Sequence, residues 1–535
     1  MDFSAQQLAY GQTGFFSRLV VDYLNEDPAL APFYKYPISV QGIQQAIEDR
    51  KDHPYDRQLL VNELTNQYRD VQLTEKQRAN LEQLKAGNCF TITTAHQPNI
   101  FTGPLYFIYK ILHAVKLADE LKRQLPANDF VPVYYMGSED ADLDELGHIY
   151  LSGQKLEWQT TQTGAVGRMI VNKELLKLID TIAGQISVRP FGSAIVNTLR
   201  ECYQENTTIE AATFKFVNGL FADYGLLILL PDNPNLKRAF NAVVQKELNE
   251  GFSHKAVEVT AAAFPKDYKL QASGREINLF YLKDDSRERI ERSGNGWIVN
   301  NTNLVFAHDE LLAELEQQPE RFSANVILRP VFQEMILPNI AFIGGGGELA
   351  YWMELKKVFE AVNVPYPVLV LRNSFLILDK EKIELTKRLG FKPTDLFKKE
   401  LELLNNLVKR DSELQLELKE EKKQLGNLYN QVKHITAKID PTLAQHTEAL
   451  YTQSAQKIEQ LEKKMLRAEK KKFEAQQRQL HKLKASLFPN DGLQERVDNF
   501  LPYYAEMGTD FLKVLYGHSP SLEQEFVMLS EQGLT

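Results

Sequence analysis

The chain has 535 residues, 43% hydrophobic and 25% charged, with 62 Lys and Arg against 71 Asp and Glu for a net charge of −9. That balance is ordinary for a globular protein long enough for about three structural units, and it excludes a disordered chain and a wholly basic nucleic-acid binder. The two cysteines, Cys89 and Cys202, exclude a disulfide framework and a CxxC zinc pair.

The opening "MDFSAQQLAY" has no basic stretch followed by an apolar core, and runs such as "GLLILL" at 225–230 are far shorter than a membrane span. A cytoplasmic protein meeting neither membrane nor nucleic acid is therefore expected. Residues 1–84 are read as an N-terminal helical segment packed on the core. Next come two β-rich stretches, "CFTITTA" (89–95) and "FVPVYYM" (130–136), separated by a helical pattern through Leu105, Ile108, Ile111, Leu112, Val115 and Leu117. Strand, helix and strand in that order predict a βαβ unit of a parallel sheet. Apolar runs at 225–230, 326–328 and 366–371 are expected to supply the remaining strands, making residues 85–380 a doubly wound α/β core. Stretches near 151–220 and 235–322 exceed an ordinary crossover and are read as two insertions covering the carboxyl edge of the sheet.

From 381 to 490 the texture changes to Leu, Glu, Lys and Gln. Ile458, Leu461, Met465 and Ala468 follow a coiled-coil rhythm, Leu407 and Leu414 lie one heptad apart, and Pro441 in "KIDPTLAQH" marks a turn. The pattern predicts a long antiparallel α-helical coiled coil of two helices, each about forty residues and roughly 60 Å long. Its apolar stripe points to self-association. The segment 491–535, with Phe500, Tyr503, Tyr504, Phe511 and Leu512, is expected to pack back on the core.

In a doubly wound sheet the chemistry gathers at the carboxyl ends of the strands. The first strand runs into "AHQPNIFTGP", placing His96 and Gln97 beside the start of a helix, although a lone histidine there is ordinarily a turn residue. The second runs into "GSEDADLDELGH", with Glu139, Asp140, Asp142, Asp144, Glu145 and His148 within ten positions, enough acids to hold an ammonium, Mg²⁺ or sugar hydroxyls. A third element holds Arg329 and the glycines Gly344 to Gly347 ahead of a helix near Glu348, a turn that allows close backbone approach. It matches neither the Walker nor the dinucleotide fingerprint, and no GxSxG or HExxH is present.

Taken in order, "HQPNIFTGPLYFIYK", "GSEDADLDELGH" and "ILRPVFQEMILPNIAFIGGGGELAYW", with "LFADYGLLILLPDNPNLKR", "INLFYL" and "LFPNDGLQERVDNF", resemble the bacillithiol synthase family of cysteine-adding ligases over nearly the whole chain. The resemblance implies a Rossmann-like core related to class I aminoacyl-tRNA synthetases, two connecting insertions and a coiled coil that makes a homodimer. It implies a carbon–nitrogen bond-forming enzyme that joins the carboxyl group of L-cysteine to the amine of glucosaminyl malate, the last step of bacillithiol formation. ATP is the expected activator, Mg²⁺ a candidate companion, and no resident metal is expected.

On this reading His96, Glu139, Asp140 and His148 are the catalytic candidates. His96 donates to phosphate, Asp140 and Asp142 hold the cysteine ammonium or the sugar, and Glu139 or His148 takes the amine proton. Gln97, Asn99, Thr102, Gly103, Tyr106, Arg329, Gly344, Gly345, Gly347, Glu348, Tyr351 and Trp352 are the further binding candidates. The chain departs from the family where "AHQ" replaces "GQQ", where Ala141 stands for a histidine, and where Gly346 stands for a proline. The synthetase lysine signature has no clear copy, leaving Lys356, Arg372 and Arg329 as basic candidates. The alternatives are a synthetase-like ligase for another amino acid or acceptor, and a noncatalytic coiled-coil scaffold.

Overall fold

The computed structural model describes residues 2–53, 55–272 and 274–532. The chain divides into two compact units, one of residues 5–376 with 492–529, the other of 377–491 with the two chain ends.

The larger unit is built on a five-stranded parallel sheet whose strands are numbered here β1 (Cys89–His96), β2 (Asp129–Met136), β3 (Leu227–Leu229), β4 (Asn339–Gly344) and β5 (Val368–Leu371). Their order is β5-β4-β1-β2-β3. β1 pairs with β2 from Cys89 opposite Asp129 to His96 opposite Met136, and with β4 on its other side. The order therefore reverses beside β1, so the crevice outside β1 and β4 is the switch point where doubly wound sheets bind ligands.

Helix α1 (Tyr106–Gln124) joins β1 to β2. Its apolar residues, including Ile108, Ile111, Leu112, Val115 and Leu117, are buried. Phe90, Ile92, Leu117, Leu121, Ile343, Val368 and Val370 share one apolar core with Ile43 and Ile47 of the N-terminal helix Val40–Lys51. That helix also supplies Arg50, whose guanidinium donates to the Glu334 carboxylate at 3.0 Å and to three main-chain carbonyls at the entry to β4.

One feature of this unit differs from the sequence expectation. Residues 326–328 form no strand, because Pro330 sits in the first turn of the helix Arg329–Ile336, and "NIAFIG" supplies the inner strand β4 instead. The second insertion holds its own antiparallel sheet, ordered Val305–Ala307, Gly296–Val299, Ser286–Ser293, Leu279–Lys283, Phe322–Ala324. In its "SRERIERS" strand Arg287 and Arg289 share a face, since side chains two apart project together, and Arg289 pairs with Phe280.

The smaller unit is helical, with helices Glu400–Asp411, Lys419–Ile439, Pro441–Lys470 and Glu474–Leu487. The expected forty-residue arms are shorter, 21 and 30 residues for the central pair, so the longer spans about 45 Å. Leu414 falls in the break between the first two helices, where the Ser412 hydroxyl accepts from the Leu414 amide in place of a helical carbonyl. The central pair is antiparallel, as Lys422 with Glu462 at 3.0 Å and Lys433 with Glu448 at 2.6 Å require. Asp440 caps the second helix through the Thr442 amide, and Pro441 occupies its first turn.

Candidate active site

A cleft of about 630 Å³ opens at the carboxyl ends of β1, β2, β4 and β5, closed over by the insertion sheet. Six arginines, Arg275, Arg287, Arg289, Arg329, Arg372 and Arg496, line it against three carboxylates, Asp140, Glu145 and Glu348. The site is thus locally cationic in a chain of net charge −9.

β1 delivers His96 and Gln97 to the cleft wall. The imidazole packs against Tyr106 and Phe107, and its buried Nε2 has no hydrogen-bond partner among the described residues. Burial first, then Lys110, Arg329 and Arg372, hold its pKa well below the usual histidine value, so the ring is neutral. Gln97 donates to Asp140 at 3.0 Å. Asn99, Thr102 and Gly103 do not line the cleft. They form a tight turn in which Phe101, Thr102 and Gly103 all have positive φ (50°, 71° and 64°), and a Cβ at Gly103 would come within 2.9 Å of the Asn99 side chain. The Asn99 and Thr102 side chains are buried in the protein.

The acidic loop divides. Asp140 lines the cleft 4.0 Å from Arg329. Burial raises its pKa, but Arg329, the Gln97 hydrogen bond and Arg287 outweigh that and leave it below the usual carboxylate range. Glu145 also faces the cleft, and its pKa is raised by burial and then by Asp142, Asp140 and Glu348. Three other candidates are placed elsewhere. Glu139 is buried in an ion pair with Lys237, which also contacts Asp232 at 3.1 Å, and Asp232 in turn binds Arg168. His148 uses Nδ1 on the Asp144 carbonyl at 2.8 Å and lies off the cleft wall. Asp142 caps the short turn helix Leu143–Leu146 by accepting from the Glu145 amide.

At the third wall Gly345, which caps helix α2 (Gly346–Glu354), and Gly347 in its first turn line the cleft, whereas Gly344 is enclosed by Phe342 and Glu348. The Glu348 carboxylate accepts from the Gly345 amide at 2.8 Å and from Lys110 at 2.7 Å, and Lys110 also donates to the Ala95 carbonyl at 2.5 Å. This buried lysine ties the β1 loop to the glycine turn. Tyr351 stands beside Arg329, while Trp352 is a core residue stacked on Phe342 at 4.3 Å. Lys356 donates to the Pro32 and Tyr34 carbonyls, away from the cleft.

Residues that sequence reasoning passed over complete the site. Lys110 sits inside the stretch that carries the resemblance and Arg496 inside "LQERVDNF", while Glu145 was named with the acidic loop but given no role of its own. Arg287 and Arg289 flank the Phe280 ring at 4.0 and 5.3 Å. The arginine alternation in "SRERIERS" was the available signal. Among the described residues no group of three or more His, Cys, Asp or Glu is placed to hold a metal ion, and no helix is long and apolar enough to cross a membrane.

A doubly wound domain whose cationic cleft lies at the switch point, followed by a helical coiled coil, defines the class of protein. Residues 3–373 match the family model described as "Bacillithiol biosynthesis BshC, N-terminal Rossmann-like domain", and residues 375–531 match "Bacillithiol biosynthesis BshC, C-terminal coiled-coil domain". The chain belongs to this BshC family. It is 36% identical over 525 residues to a relative from Flavobacterium johnsoniae, covering 98% of this chain and 99% of that one. A relative from Flavobacterium psychrophilum is 37% identical over 94% of this chain and 95% of its own, and one from Bacillus cytotoxicus is 27% identical over 92% and 94%. All three carry the name "Putative cysteine ligase BshC", and the chain is an enzyme of that ligase family.

Proposed function

We propose that the protein catalyses the last step of bacillithiol formation, joining the carboxyl group of L-cysteine to the amine of glucosaminyl malate with ATP as the activator. The observation that carries this reading is the arginine-lined cleft at the switch point, with Asp140 and Glu145 set among the cations. Of the substrates other than cysteine, ATP is a polyanion and glucosaminyl malate carries two carboxylates, and guanidinium groups are the side chains best shaped to pair with carboxylate and phosphate. The names of the relatives support cysteine as the acyl donor.

ATP supplies the anhydride that makes the cysteine carboxylate reactive towards an amine. The glycine turn ahead of α2, the neutral His96 and Arg372 form the wall suited to its phosphates, and any Mg²⁺ would enter with them. Arg287 and Arg289, stiffened by Phe280, suit the two malate carboxylates. Asp140, held ionised by Arg329, suits the cysteine ammonium. When the sugar amine attacks the acyl carbon, the C–N bond forms, the phosphate-bearing group leaves with the C–O electrons, and Glu145 accepts the amine proton. His148 and Glu139 are not needed as bases. Cys89 and Cys202 are free and buried, in keeping with action in the reducing cytoplasm.

We further propose a homodimer. Leu428, Val432, Ile435 and Ile439 recur at spacings of four, three and four on Lys419–Ile439 and remain exposed, so they form a heptad stripe suited to a second copy of the same helix pair.

The test is to incubate purified protein with cysteine, glucosaminyl malate and ATP and to follow bacillithiol and the adenine nucleotides by mass spectrometry. Bacillithiol formed in step with AMP is expected. Folded protein that makes no product refutes the reading, and equal kcat/KM with glucosamine lacking malate refutes the role given to Arg287 and Arg289.

A further inference from the structure

The segment that follows the helical unit in sequence returns to the cleft and makes an unusual set of contacts there. Glu495 is wholly buried. Its Oε1 accepts from Arg372 Nη2 at 2.7 Å and from the Ser374 hydroxyl at 3.1 Å, and its Oε2 accepts from the Phe375 amide at 3.2 Å. With Nη1 engaged by the Asn373 carbonyl and the Ser374 hydroxyl, the Arg372 guanidinium is fixed 4.8 Å from the Tyr106 ring on the cleft wall.

Four residues further on, Asn499 Nδ2 donates to the carbonyls of Phe101 at 3.0 Å and Gly103 at 2.6 Å, and its Oδ1 accepts from the Leu501 amide at 2.9 Å. The Leu105 amide donates to the Asp498 carbonyl at 2.8 Å, and the Tyr203 hydroxyl accepts from the Phe101 amide at 3.0 Å. These bonds grip the turn in which Phe101 and the β-branched Thr102 both hold positive φ. L-residues keep that conformation only where their surroundings over-determine it. The turn connects His96 and Gln97 to Tyr106, so its shape sets where three cleft residues stand.

We propose that Glu495 and Asn499 are positioning residues for the ligase reaction, Glu495 by fixing Arg372 over Tyr106 and Asn499 by holding the 99–103 turn in its left-handed form. Arg496 lies between them on the cleft wall, and no ion pair holds it among the described residues. The returning segment therefore supplies one cation to the cleft and orients a second. This inference rests on the function proposed above for its kinetic and pyrophosphate readouts and on the geometry alone for its exchange readout.

The experiment compares wild type with Glu495→Gln, Glu495→Asp and Asn499→Ala in the full chain. Glu495→Gln is expected to weaken inorganic pyrophosphate binding by calorimetry and to raise KM for ATP by about tenfold, with KM for glucosaminyl malate unchanged and part of the loss recovered in Glu495→Asp. Asn499→Ala is expected to lower kcat about 10- to 100-fold, the range that misplacement by about 1 Å produces. It should also speed amide hydrogen exchange in residues 99–105 while the helices of 419–470 exchange as in wild type. Wild-type ATP and pyrophosphate affinity in Glu495→Gln, or a wild-type protein that binds no pyrophosphate, overturns the first half. Unchanged exchange in the turn, or faster exchange across the whole chain, overturns the second. If wild type binds pyrophosphate but makes no bacillithiol, the proposed reaction fails while the exchange and binding arms still decide this inference. Should Asn499→Ala not fold, the isosteric Asn499→Asp, which removes the donor to the Phe101 and Gly103 carbonyls, carries the exchange test in its place.

Discussion

At the scale of single residues, ionisation assigns roles that residue type alone left open. In the proposed reaction Glu145 is the base and can serve only when ionised, so kcat/KM should climb with pH through its raised pKa and level off above it. Glu145→Gln is expected to remove that acid limb and lower the plateau by about 10²- to 10⁴-fold, as read from a pH–rate profile. His96 adds no limb near neutrality because it is already uncharged there. His113 gives a stability signature instead. It is wholly buried, accepts from the Asn373 amide and bonds the Ser521 carbonyl, and burial lowers its pKa from 6.5 to about 4. The unfolded chain takes up the proton first, so the contribution is complete above about 6.5 and is lost as pH falls from there towards 4, about 3 kcal/mol in all. Urea unfolding at pH 7 and pH 4.5 should show that loss in wild type and a smaller one in His113→Gln. Which acids serve was not legible in "GSEDADLDELGH": Glu139 is withdrawn by Lys237, 98 positions away, a partner no local pattern reveals.

At the scale of elements, periodicity carried the β1–α1–β2 unit, because alternation and a helical stripe are local properties of the chain. β4 was harder to place, since a fully buried parallel strand reads as a plain apolar run and the shorter run at 326–328 looked equivalent. The insertion sheet escaped for a related reason: its arginines become a site only when strand pairing sets them beside Phe280. The N-terminal helix Val40–Lys51 is a structural brace through Arg50. The Arg50–Glu334 pair is almost fully enclosed, and burial pushes Glu334 up to about 7 despite the guanidinium. Arg50→Ala removes the cation paired with that carboxyl, leaving it to Gln333 and Asn339, and takes the guanidinium donor from three carbonyls, so a loss of about 3–5 kcal/mol is expected in urea unfolding. A loss below about 1 kcal/mol would contradict the bracing role.

At the scale of the whole molecule, the exposed heptad stripe predicts the assembly. Ile435 and Ile439 are 62% and 76% exposed, so Ile435→Glu with Ile439→Glu should leave each copy folded while converting a dimer to a monomer in sedimentation velocity. A monomeric wild type, or a variant that stays dimeric, would count against the stripe. Composition and texture made the division into an α/β core and a helical unit legible, because both are averages over many residues. The aromatic residues of the last segment led to the expectation that it packs back on the core, but its particular bonds beside the cleft were not legible, since Asn499 and the Phe101 carbonyl it holds lie 398 positions apart. That separation has a consequence for how the protein is made. Synthesis runs from the N-terminus at about 5–20 residues per second, so the core strands leave the ribosome well before Glu495, Arg496 and Asn499. Until translation is almost complete, the chain therefore lacks the three residues that the last segment brings to the cleft and its walls.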